Sequence, residues 1–206
     1  MKIRDFLFSL TVLVGLYSCN NNDNEQNGLV LQSHDENQMM DSLHAMSSRM
    51  DAMVPTKDPE IDFLKMMAMH HKGAINMAKV ELESGKNEAL KEIANKMTTD
   101  QQQEIKKIND ILQTLSIDNS DPVFTTEQKN NMLKMDKNAD AQPLTGDTDN
   151  DFATLMILHH QSATDNASAY LHHGNNDEIK EMATMMITMQ TQEIIELSDW
   201  LKNNRR

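Results

Sequence analysis

The sequence predicts an all-α protein: a four-helix bundle made from two repeated helical hairpins, preceded by a Met-rich helix. Three observations predict it. Aromatic residues make up only 4% of the chain and glycine only 6 positions, too few for a β-sandwich or barrel, while good helix formers such as Leu, Met, Lys, Glu and Gln abound. Segments 58–115 and 147–203 overlay without a gap when the chain is shifted by 89 positions. Within each segment the apolar residues recur at helical spacing between start and stop signals.

The first 19 residues read as a lipoprotein signal peptide. Lys2 and Arg4 open it, Phe6 to Leu16 is a short apolar run, and Leu16-Tyr17-Ser18-Cys19 resembles the box cleaved before a lipidated cysteine. Tyr17 is bulky for that box. Residues 20–34 are polar, Asn-rich and aperiodic, which predicts a disordered tether. These features place the mature protein in the cell envelope, facing the periplasm or on the outer membrane, held by a lipid on Cys19. With Cys19 lipidated, no free thiol remains, so soft-metal chemistry would have to use thioether and imidazole.

Residues 35–57 carry the Met-rich helix, running from about Asp35 to Met53. Met39, Leu43, Met46, Met50 and Met53 are spaced 4, 3, 4, 3, a heptad seam that would lie against the bundle or a partner. Met40 and His44 sit one turn apart beside it.

The bundle itself spans 58–203. Asp58-Pro59 is an N-cap followed by proline at the first helical position, and Gly85 is the expected stop. A second helix runs from about Asn87 to Leu115. The later copy starts near Thr148, stops at Gly174 and resumes from about Asn176 to Leu201. The link between copies holds Pro122 and Pro143, and Thr125 with Gln128 predicts a capping box opening a short helix.

The chemistry-bearing residues repeat with the hairpins. His70-His71 matches His159-His160, and Met97 and Glu104 match Met186 and Glu193. Phe63, Met67, His70, Ala74 and Met77 follow 4, 3, 4, 3 spacing, so both histidines border the inward face, one turn from Met66 and Met67. In the second copy Phe152, Met156, His159, Ala163 and Asn166 line that face. On the partner helices Met97, Gln101 and Glu104 share a face, as do Met186, Gln190 and Glu193, with Met182, Met185 and Met189 extending it. Thioether is a soft ligand that does not titrate and favours Cu(I) or Ag(I) over Zn(II). Neutral imidazole binds copper in either oxidation state, and a carboxylate such as Glu104 can ligate or orient a histidine. A Met stripe at this spacing also serves plain packing, since Met fills irregular gaps. Two adjacent histidines repeated at one place in both copies are harder to read as packing. His172-His173 has no counterpart in the first copy and predicts an exposed helix end.

In its Asp-Phe…His-His-x-x-Ala…Ala, Gly and Gln…Gln-Glu-Ile pattern, from about Asp58 to Trp200, the sequence resembles a bacterial domain-of-unknown-function family that includes the CopM-type copper-binding proteins. The resemblance implies a ferritin-like bundle, an exported protein, binding of copper or silver and a role in metal tolerance. Carried over, it points to His70, His71, His159, His160, Glu104 and Glu193 with nearby Met. Asn166 stands where the first copy has Met77, the motif's usual methionine, which predicts a weaker or differently liganded second site.

Three function classes follow. The first is an envelope protein that buffers or chaperones Cu(I), with silver as a second ion; its partners would be metal ions, the membrane lipid, and a metal-transport protein or second copy of the chain. The second is a structural or partner-binding bundle with a Met-rich core. The third is a ferritin-like di-metal redox enzyme, disfavoured because the chain has no Glu-x-x-His. No nucleophile motif or phosphate loop is present, so the reading is not an enzyme. A net charge of −13 argues against nucleic acid and suits cation attraction.

Overall fold

The computed structural model describes residues 31–204. The signal peptide, Cys19 and most of the tether lie outside the described residues. Among the described residues the chain forms six α-helices: α1 (Gln38–Asp51), α2 (Pro59–Ser84), α3 (Glu88–Leu112), α4 (Pro122–Asp140), α5 (Thr148–His173) and α6 (Asp177–Asn204). The four long helices expected of the two hairpins are α2, α3, α5 and α6. No helix among the described residues is long and apolar enough to cross a membrane.

Helix starts follow the side-chain caps. Asp58 accepts from the backbone N–H of Glu60 and Ile61, Asn87 from Leu90, Asp147 from Asn150 and Asn176 from Ile179. The Met-rich helix begins at Gln38 rather than Asp35, because Asn37 caps it through Met39 and Met40. The tether ends earlier than expected: Gln32 donates its N–H to the Leu144 carbonyl at 2.8 Å, which ties 31–34 to the fold.

The link differs most from expectation. Its helix opens at Pro122, with Asp121 accepting from Val123 and Phe124, so the Thr125–Gln128 box does not open it. Gln128 lies inside α4 and is buried. Phe124, Met132, Met135 and Ala139 are all buried, and α4 packs along α5. His173 is not a loose helix end either. Its Nδ1 lies 2.8 Å from Asp121 and its Nε2 3.2 Å from Glu127. The hydrogen bond to Asp121 raises the imidazole's pKa, and the same bond lowers that of Asp121.

The repeat is therefore three helices long. Shifted by 89, α1 falls on α4 as α2 falls on α5 and α3 on α6. The loops agree in detail. Asp62 accepts from Thr56 N, Thr56 Oγ1 and Lys57 N, and Asp151 accepts from Thr145 N, Thr145 Oγ1 and Gly146 N. Lys57 and Gly146 share a left-handed backbone, φ 70° and 71°.

Helices α2 and α5 lie side by side in the middle. On one side α1 packs on α2 and α4 on α5, and α1 touches α4; on the other, α3 covers α2 and α6 covers α5. Each middle helix has neighbours on several faces, so it is buried almost all round, as the His-His segments require. One continuous core joins all six helices. Each buried Met or Leu side chain in it contributes about 1.5–3 kcal/mol relative to exposure.

The repeats also cap one another. Glu60 Oε1 at the start of α2 accepts from the N–H of Asn175 (2.6 Å) and Asn176 (3.3 Å), just before α6. Its counterpart Asp149 at the start of α5 accepts from Lys86 (2.8 Å) and Asn87 (3.0 Å), just before α3. Each copy thus places a carboxylate where the other copy's last helix begins, the end that favours negative charge.

Gly85 and Gly174 stop their helices for a different reason than expected. Their backbones are extended, φ −66° and −74°, not left-handed. A Cβ at Gly85 would run into the Glu81 carboxylate and carbonyl, and one at Gly174 into the Tyr170 ring. Close approach, not conformational freedom, demands glycine here.

Candidate metal centre

All four repeated histidines are fully buried, each 0% exposed. Helices α2 and α5 carry them to the middle of the molecule. His70 and His159 meet directly, ring centroids 3.7 Å apart. They occupy equivalent positions, so their contact marks the axis relating the two copies.

Hydrogen bonds settle their tautomers. His159 Nε2 lies 3.0 Å from the His70 carbonyl, which can only accept, so Nε2 carries the proton. Ser162 gives its hydroxyl hydrogen to the His159 carbonyl at 2.9 Å and stands 2.7 Å from His70 Nε2. It therefore accepts from that nitrogen, and His70 is also protonated on Nε2. Both Nδ1 atoms are left as bare lone pairs, buried and without a hydrogen-bond partner. Burial, then the neighbouring imidazoles, lowers the pKa of both rings well below the usual histidine value. They are neutral, the form that ligates.

His71 and His160 point to the outer helices. Glu104 Oε2 on α3 lies 2.7 Å from His71 Nε2, and Glu193 Oε2 on α6 lies 3.0 Å from His160 Nε2. Neither oxygen lies along the ring's N–H direction, so neither contact is a hydrogen bond despite its length. Both Nδ1 atoms are also unpartnered. Side chains placed this way lie as close as two ligands of one ion but do not saturate each other. Glu104 is 20% and Glu193 8% exposed, so the carboxylates link the buried rings toward solvent. Lys96 stands 3.9 Å from Glu193.

The thioethers divide by symmetry. Met67 and Met156 are counterparts, as are Met97 and Met186, and all four are buried with the histidines in the core. Met66 is buried too, but its counterpart is Leu155 and it lines a groove beside α1 and α4. Met182 is buried, whereas Met185 and Met189 are 43% and 37% exposed and do not extend the inward face. Asn166 donates to the Ser162 carbonyl (2.8 Å) and faces the Met132 sulfur (3.5 Å).

Two residues near the histidines were not foreseen. Ser162 holds His70, and the Met135 sulfur lies 3.2 Å from its hydroxyl. The signal was available: Ser162 falls where the first copy has Gly73, and Met135 falls on Met46, whose sulfur packs against Gly73. This substitution makes the centre asymmetric. His159 bonds directly to a backbone carbonyl, while His70 reaches its counterpart carbonyl through the Ser162 hydroxyl.

Among the described residues no three His, Cys, Asp or Glu side chains converge tightly enough to hold an ion alone. The donor set on offer is a His-carboxylate pair in each copy and a central pair of bare imidazole nitrogens, with thioethers nearby in the core. Such a set fits a soft or borderline ion of low coordination number better than a hard one wanting six oxygens.

Fold and site together define a duplicated all-helical bundle with a buried imidazole layer. The chain belongs to the family described as Domain of unknown function (DUF305), whose profile matches residues 12–112 and again 60–201. Among solved structures, the silver-bound form of CopM obtained by soaking is 24% identical, spans 71% of this chain and 98% of that one, and has a TM-score of 0.55. The Cu(I)-bound form of CopM is 24% identical over 71% and 98% of the two chains, with a TM-score of 0.54. The Cu(II)-bound form is 29% identical over 70% and 96%, with a TM-score of 0.56. No curated protein sequence matches the chain.

Proposed function

We propose that this protein binds Cu(I), with Ag(I) as a second ion, on the imidazole layer between α2 and α5, and buffers or chaperones the metal in the cell envelope. One observation carries the reading: four histidines, fully buried, each keep an Nδ1 atom with no hydrogen-bond partner in the protein. Leaving buried polar atoms unpartnered costs about 1–3 kcal/mol each, a cost an inert scaffold has no reason to bear. The solved CopM structures with silver, Cu(I) and Cu(II) support copper and silver as the ions. His71 with Glu104 and His160 with Glu193 would supply ligands near the surface. His70 and His159 would take an ion deeper, with Met67, Met97, Met156 and Met186 as the soft donors of the same core.

Nothing in this set calls for catalysis; the protein is a binder, held by lipid on Cys19 if the leader is cleaved there. The test is Cu(I) titration of the protein against a competing chelator. The equivalents held by the imidazole layer should be lost when His70, His71, His159 and His160 become Gln, with helicity checked by circular dichroism. Full folding with no stoichiometric uptake by the parent would support the scaffold reading instead, and iron or manganese in the purified protein the redox one.

A further inference from the structure

A second cluster of sulfur lies away from the histidine layer. Between α1 and α4 opens a groove of about 250 Å³ lined by Met50, Met53, Met66 and Met132. Three helices and a loop contribute these residues, so the chain must fold to bring them together. Asp51, Asp136 and Lys129 line the same groove.

Packing alone does not require sulfur at these positions, and the molecule contains its own control. The positions equivalent to Met50, Met53, Met66 and Met132 in the other copy hold Ala139, Gln142, Leu155 and Leu43. Leu43, Leu155 and Ala139 are as well buried as any residue in the core, at 1%, 0% and 2% exposure. The same fold therefore closes with three aliphatic side chains and a glutamine on one side of the axis and with four thioethers on the other. Met50 and Met53 are only partly buried, so an ion could reach this sulfur from solvent.

We propose that this groove is a separate binding site for a soft monovalent cation, Ag(I) or Cu(I), held by the thioethers of Met50, Met53, Met66 and Met132. Thioethers keep their lone pairs at any pH and select soft d10 ions over the abundant hard ones. Asp51 and Asp136 outnumber Lys129 in the lining and lend the negative charge that neutral sulfur lacks, without having to ligate. The site shares the class of ion with the histidine layer but none of the histidines or glutamates, so the two stand or fall separately.

The experiment is an Ag(I) titration of the intact chain with 13C-methyl-labelled methionine, followed by NMR, with Cys19→Ser in every arm because a free thiol would take the ion first. The methyl signals of Met50, Met53, Met66 and Met132 should shift with one equivalent of ion, and should still do so in His70→Gln/His159→Gln. A second variant carries the other copy's residues, Met50→Ala, Met53→Gln and Met132→Leu. It should fold, keep the histidine-layer equivalent, and bind the groove ion at least roughly tenfold more weakly. If the four methyl signals stay still through two equivalents, or the swapped variant binds as many ions as tightly as its parent, the groove is not a site. Loss of binding confined to the histidine variant would leave only the imidazole layer standing. Loss confined to the swapped variant would leave only the groove.

Discussion

The rings of His70 and His159 lie 3.7 Å apart across the axis between the two copies, each with its Nε2 hydrogen committed and its Nδ1 lone pair free. The commitment of His70 depends on one hydroxyl. In Ser162→Ala the Nε2–H of His70 loses its acceptor in a dry core. Stability to urea should fall by about 1–3 kcal/mol, and Cu(I) affinity should drop because the ring is no longer held in one tautomer. Unchanged affinity would show that the tautomer of His70 is irrelevant to binding.

Glu104 and Glu193 should not be equivalent in strength to His70 and His159. Glu104→Gln and Glu193→Gln keep the side-chain volume and remove the charge. Each should weaken metal binding by roughly 10–100-fold while leaving the melting temperature nearly unchanged. A large loss of stability with normal binding would make them structural ion pairs instead.

Glu81 is fully buried beside Asp149, and burial first, then the hydrogen bond and charge of Asp149, raises its pKa to about 8. Asp147 adds to the effect and Lys91 opposes it. Between the ordinary value of 4.5 and about 8 the folded protein holds a proton that the unfolded chain has released. Stability should therefore fall as pH rises through that window. Glu81→Gln keeps the neutral form at all pH. Its advantage over the parent should be near zero below pH 4.5 and grow to the order of a few kcal/mol above pH 8. Chemical denaturation of both proteins across this range checks the slope.

The two left-handed positions offer an internal comparison. Lys57 and Gly146 have φ near 70° and 71° at the same place in each copy, but only one is glycine. Lys57→Gly should stabilise the protein by about 1 kcal/mol, since a left-handed conformation strains residues with a Cβ. Gly85→Ala and Gly174→Ala should instead destabilise by about 1–3 kcal/mol, through overpacking against Glu81 and Tyr170. Thermal unfolding of the three variants separates strain from crowding.

Much of the fold was legible because its causes are local. Asp58, Asn87 and Asp147 start their helices as their side chains dictate, and the 89-residue register identified the hairpins and the paired histidines. The link departs from expectation because Thr125 and Gln128 have the spacing of a capping box, while Asp121, followed by Pro122, supplies a better N-cap four residues earlier. Extending the register past the hairpins would have shown that α1 and α4 are counterparts. Met185 and Met189 looked inward by spacing alone, yet among the described residues they are 43% and 37% exposed.

By itself the sequence determined the helices, their duplication, and which residue types could ligate a soft ion, because caps, periodicity and repeats act over a few residues or a fixed offset. Only the tertiary structure decided that His70 faces His159, that Ser162 stands between one ring and the opposite carbonyl, and that Met66 belongs with Met50, Met53 and Met132. Those relationships depend on how α2 and α5 meet and where α1 and α4 lie across them. Packing of distant segments sets both, and no local spacing encodes it.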